Sequence, residues 1–186
     1  VVDVNQTPIE QTLVAGSTEL ITLAIGNTGP TMLVGDMLSA MSDPVLFQKA
    51  DYADATQEEN QDRITDNVWL TRASTRGLFN AKVESVYNWD TWESPKNTLW
   101  IFGSVIESPL VDFDFWRDAV GGDPPSMVDN VVGMYSEIDK RFFDFHFHSW
   151  TEDGNGGGFS YTRYEVPSWL KIEERFFDLA ESASVD

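Results

Sequence analysis

The stretch FFDFHFHSWTEDGNGGGFSYTRY, residues 142–164, decides the fold class. Side chains on a β-strand alternate between its two faces. Phe143, Phe145 and Phe147 therefore share one side, while Asp144, His146 and His148 share the other. Three phenylalanines at period two make a core stripe. The glycine run that follows supplies residues able to take positive φ, which a hairpin connection needs. GFSYTRY then reads as the returning strand, and an antiparallel pair lying on an apolar core is expected.

Working outward, the same character recurs from about residue 64. ITDNVWLTRA, LFNAKVESVYN, TLWIFGSVI and VVGMYSEID are short stretches rich in β-branched and aromatic residues. SPKN at 94–97, GGDPPS at 121–126 and DGNGGG at 153–158 break them. With no helices between the strands, this spacing predicts a mainly β chain: an antiparallel, jelly-roll-like β-sandwich with few short helices. VDFDFWRDAV (111–120) fits either a strand or one helical turn. After Pro167, SWLKIEERFFDLAES reads as a C-terminal helix capped by Ser168, with Leu170, Ile172, Phe176 and Leu179 on one side. ELITLAI (19–25) reads as a strand, and QKADYADATQEENQDR (48–63) as an exposed loop or short surface helix. Four segments follow: residues 1–47 as a strand segment pairing with the main sheet or a neighbouring subunit, 48–63 as a polar loop, 64–167 as the sandwich body, and 168–186 as helix or tail.

Composition narrows the function classes. Thirty-one acidic residues against 12 basic ones give a net charge of −19. Such a surface repels nucleic acid, whose binding needs Lys and Arg to displace counterions, and stays soluble in salt. Seven Trp, five Tyr and 12 Phe provide enough aromatic surface to exclude a disordered polyanion. No apolar run is long enough to cross a bilayer, so no membrane insertion is expected. The absence of Cys excludes disulfides, thiolate metal sites and cysteine nucleophiles. A chain starting at Val1 rather than Met fits a secreted protein whose signal peptide has been removed.

Three groups of residues bear on chemistry. Asp144, His146 and His148 have a spacing able to grip one divalent metal, the geometry a metal-dependent hydrolase or lyase would use. The plainer alternative, a polar outer face beneath a loop, outweighs it because the chain holds only two His. Glu152, Asp153 and Asn155 offer oxygen ligands of the kind calcium takes, without the register of an EF-hand; a flexible hairpin explains that loop more simply. Trp89 and Trp92, in the polar stretch YNWDTWESPKN (87–97), suit a sugar-stacking platform. Packing, or a subunit interface where Trp is enriched, is favoured over sugar. GxSxG, HExxH, Walker and Rossmann patterns are absent, which lowers the expectation of an enzyme.

ITDNVWLTRA, GLFNAKVES, SPKNTLWIFG, PPSMVDN and FHSWTEDGNGGGFSYTR occur in that order. From about Ile64 to Tyr164 the chain thereby resembles an uncharacterised β-rich domain recurring in secreted and cell-surface bacterial proteins. The resemblance implies an extracellular location and a β-rich module. The position before Ser149-Trp150-Thr151 varies in that group, which tells against His148 as an obligate ligand.

The leading functional expectation is an extracellular structural or adhesive protein without catalytic activity, self-associating as a surface or filament subunit. Ile9, Leu13, Ile21, Leu23 and Ile25 are its candidates for strand exchange with a second copy. A carbohydrate-binding module with glycan partners is the first alternative, and the metal-dependent enzyme the second.

Overall fold

The computed structural model describes residues 41–168. The strand expected at 19–25, the strand-exchange candidates Ile9, Leu13, Ile21, Leu23 and Ile25, and the C-terminal helix expected after Ser168 lie outside the described residues.

Eight strands are present among them: β1 Val45–Lys49, β2 Asp62–Arg63, β3 Trp69–Arg72, β4 Leu78–Asn80, β5 Thr98–Phe102, β6 Val131–Ser136, β7 Arg141–Trp150 and β8 Phe159–Val166. They form a five-stranded sheet in the order β1-β8-β7-β6-β5 and a three-stranded sheet β2-β3-β4. Every strand pair is antiparallel. The mainly β, two-sheet expectation holds. β1 straddles the boundary drawn at residue 47 and pairs with β8, Phe47 facing Tyr161.

The phenylalanine stripe does what its period dictates. Phe143, Phe145 and Phe147 are fully buried, and they join Leu70 and Leu78 of the small sheet in one core with Trp100, Phe159 and Tyr161. The two sheets thus close over a shared apolar layer, and burying three Phe side chains contributes roughly 1.5–3 kcal/mol each. A charged clasp joins the sheets at the rim of that layer. Asp62 of β2 takes two bonds from Arg163 of β8, at 2.7 and 3.0 Å, and a third from the Tyr161 hydroxyl at 2.7 Å.

The opposite face of β7 is not simply open. Phe142 lies there in a second cluster with Tyr135 and Val166, covered by Val105 and Phe113 from the connection after β5. That connection arches over the sheet and returns to pair with β5, Trp100 and Asp114 exchanging backbone hydrogen bonds of 2.7 and 2.9 Å. Within VDFDFWRDAV, Trp116–Ala119 forms one helical turn and Asp114 makes a strand-like bridge, so each of the two expectations holds for part of it.

LFNAKVESVYN is strand only through Leu78–Asn80. The buried Asn80 ends it. Its side-chain oxygen accepts from Trp69 N–H at 2.9 Å, while its amide donates to the carbonyls of Asn67 and Lys96. These bonds occupy the groups that would continue the ladder, and the chain turns, with Glu84 N–H bonded to Asn80 O at 2.8 Å.

Candidate functional site

The two histidines are neighbours, with ring centroids 5.1 Å apart and planes at 87°. His148 is exposed and shares a hydrogen bond of 2.8 Å with Thr162 Oγ1. Asp144 does not join them. Its carboxylate is buried beneath the arching connection and accepts from Ser104 Oγ at 2.6 Å and Val105 N–H at 2.8 Å. Among the described residues, no three His, Cys, Asp or Glu side chains are gathered where they could share a metal ion.

The glycine loop serves close approach of backbones. Gly156 N–H donates to Ser74 O, Gly156 O accepts from Tyr52 N–H, and Gly158 N–H donates to the Asp51 carboxylate. A Cβ at Gly157, which sits at φ +67°, would collide with the Ala73 carbonyl. Three segments meet at this joint: the residues after β1, the β3–β4 turn and the β7–β8 hairpin. Asn155 stays at the hairpin, its N–H bonded to Glu152 O at 3.1 Å.

Beside the joint lies an open cleft of about 500 Å³. Its walls are aromatic and cationic: Tyr87, Trp89, Trp92, Trp116 and Trp150, with Arg72, Arg76 and Arg117. Glu152 and Asp153 of the hairpin also line it. The structure therefore brings together Trp89 and Trp92, at 5.4 Å between ring centroids, and carries two of the three loop oxygens to the same place.

Each wall has a local cause. The Trp89–Trp92 loop is closed at its base by Glu84, whose carboxylate accepts from the N–H groups of Asn80 and Lys96, each at 2.8 Å, and from Ser94 Oγ. The rings then form a chain of edge-on contacts running inward: Trp92 to Trp89, Trp89 to Tyr87, Tyr87 to Trp116. Trp150 follows at 5.7 Å from Trp116 and joins the core through Phe147 and Phe159. Gly77 makes this possible, since a Cβ there would meet the Trp116 ring at 2.5 Å and the Tyr87 ring at 2.7 Å. The platform is thus an outgrowth of the rigid core.

The arginines lie on the tryptophans. Arg72 stacks 3.8 Å from the centroid of Trp150, Arg76 3.7 Å from Trp89 and Arg117 4.1 Å from Trp92. Arg72 is buried and spends its donors on two carbonyls, Arg76 O at 2.6 Å and Gly158 O at 3.4 Å. Burial pushes its guanidinium down to about 10, with Asp51 opposing. Lys49 is buried on the other side of the joint, its ammonium donating to Ala50 O and Gly157 O. Burial first and then the charge of Arg72 lower its pKa. Charges of both signs therefore meet here: the three guanidiniums line the cleft together with the carboxylates of Asp123, Glu152 and Asp153, and Asp51 lies at the joint.

Trp116 donates its indole N–H to Met127 Sδ at 3.4 Å. The indole N–H groups of Trp89, Trp92 and Trp150 meet no acceptor among the described residues. Flat apolar faces, ring N–H donors and fixed guanidinium edges suit a polar ring-shaped ligand: the faces take its C–H side, the donors its oxygens.

Sequence reasoning singled out Trp89 and Trp92 but missed Trp116, Trp150, Tyr87 and all three arginines. One signal was present. Basic residues are scarce in this chain, and Arg117 directly follows a Trp. Comparison with protein-family models, curated proteins and solved structures finds no match for this chain.

Proposed function

We propose that the chain is an extracellular adhesive module that binds carbohydrate in the Trp89–Trp92 cleft, without catalysis. The observation that carries this is the convergence of four indoles and three guanidiniums on one open cleft of about 500 Å³, a size suited to small-molecule ligands. An exposed aromatic platform, Trp89 being 42% exposed, offers the stacking surface that sugar rings use. The extracellular setting is part of this proposal and follows from the resemblance expected for residues 64–164. Self-association is the second reading, favoured by β1: among the described residues it ends the five-stranded sheet with Leu46 68% exposed, and an edge strand is a template for pairing with another chain.

The test is a glycan array followed by calorimetry on the purified chain, with Trp89→Ala alongside. Binding to at least one glycan class is expected, weakened about tenfold or more in the variant, which corresponds to about 1.4 kcal/mol. Because Trp89 is at the surface, the unfolding temperature of the variant should stay within a few degrees of the parent. A blank array, or full retention of affinity in Trp89→Ala, sinks the glycan reading.

A further inference from the structure

Among the described residues, the arginines away from the cleft each meet a carboxylate: Arg63 with Glu58 at 2.7 Å, Arg141 with Glu165 at 2.7 Å, and Arg163 with Asp62 at 2.7 Å. At the cleft the pattern changes. Arg117 reaches Asp118 at 2.9 Å, with both side chains partly exposed. Arg72 donates only to carbonyls, stacks on Trp150 and has the Asp51 charge nearby. Arg76 meets no carboxylate among the described residues; the partner of its guanidinium is the Trp89 ring.

The geometry keeps Arg76 ready rather than satisfied. Stacking fixes the plane of its guanidinium and leaves the N–H edge free to take two acceptor oxygens at once. Its backbone is held at φ +83°, and two other residues lining the cleft, Trp92 at +61° and Asp153 at +55°, are also left-handed.

Resting on the glycan reading above, we propose that the cleft selects saccharides bearing an anionic group, the carboxylate of a uronic acid or a sulfate ester. Arg76 is the principal anion contact and Arg117 the second cation. The sugar ring lies against Trp89 and Trp92. The long-range field of a chain with net charge −19 opposes any polyanion. Short anionic oligosaccharides are therefore favoured over long ones, because they gain the local contact with less repulsion.

Calorimetry of the full chain with trigalacturonate, its fully methyl-esterified form and a sulfated galactose trisaccharide tests this. Esterification removes the charge and keeps the ring. Trigalacturonate or the sulfated sugar should bind about tenfold to a hundredfold tighter than the ester, the range expected of a charge-assisted bond. A preference for the acid identifies carboxylate as the source, and a preference for the sulfated sugar identifies sulfate. Arg76→Gln should abolish the difference between acid and ester, and Arg76→Lys should restore part of it. Should Arg76→Gln fail to fold, the acid-versus-ester comparison on the parent chain decides alone. Equal affinity for acid and ester, or an array signal confined to neutral glycans, overturns the anion inference and leaves the glycan reading standing. No binding to any of the three, together with a blank array, removes both.

Discussion

Asp144 carries its carboxylate into the covered face of β7, where Ser104 Oγ and the Val105 N–H are its donors. Burial raises its pKa above the usual 3.8, more than those two bonds lower it. The sign follows. A carboxyl whose folded pKa lies above its unfolded value takes up a proton more readily when folded, so stability rises as pH falls through the folded pKa towards 3.8. Asp144→Asn removes the buried charge and retains an acceptor for Val105 and a donor for Ser104. The stability gap between parent and variant should therefore move in favour of the parent on going from neutral to mildly acidic pH. Urea midpoints at about pH 7.5 and about pH 5 measure it; a gap constant with pH would mean that the two donors outweigh burial. The alternation along β7 put Asp144 on the correct face from sequence alone. Its lid was not legible, because Ser104 is 40 residues away and reaches it only through the arch after β5.

At the scale of elements, the β7–β8 hairpin owes its glycines to contact more than to turning. Gly121 and Gly157 make the comparison. Both have left-handed backbones, at φ +64° and +67°, but a Cβ on Gly121 meets nothing within 4 Å, whereas one on Gly157 runs into the Ala73 carbonyl. Gly121→Ala should cost only the conformational penalty, about 1–2 kcal/mol. Gly157→Ala should cost that plus the clash, roughly 1–3 kcal/mol more, and should also weaken glycan binding, since the hairpin carries Glu152 and Asp153 to the cleft. Thermal unfolding of the pair separates the two contributions; equal losses would mean that the joint yields without resistance. Strands declare themselves through period two, as Phe143, Phe145 and Phe147 do. The cleft did not, because Arg72, Trp89, Arg117 and Trp150 lie on four separate segments whose meeting depends on sheet order and on Gly77. Trp89 and Trp92 were legible only as a pair in a polar loop, which fits packing as well as binding.

At the scale of the whole molecule, net charge and local charge pull in opposite directions. The clasp at Asp62 and the stacked arginines use much of the scarce positive charge inside or near the core, which leaves the carboxylates elsewhere to repel one another. With 31 acidic residues against 12 basic ones, that repulsion outweighs the surface ion pairs, which are worth about 1 kcal/mol or less apiece. Added salt shortens the range of that repulsion from about 30 Å at 0.01 M to about 10 Å at 0.1 M and about 3 Å at 1 M. The folded state should gain, because it packs the charges more closely than the unfolded chain does. An increase of roughly 1 kcal/mol, or about 2–4 °C in unfolding temperature for a chain of this size, is expected between low salt and a few tenths molar NaCl. Most of the rise should come in the first tenth molar, where screening changes most. A melting temperature that falls with salt would show that the paired arginines outweigh the unpaired carboxylates. A rise that continues evenly to molar salt would point to exclusion of salt from the surface in place of screening.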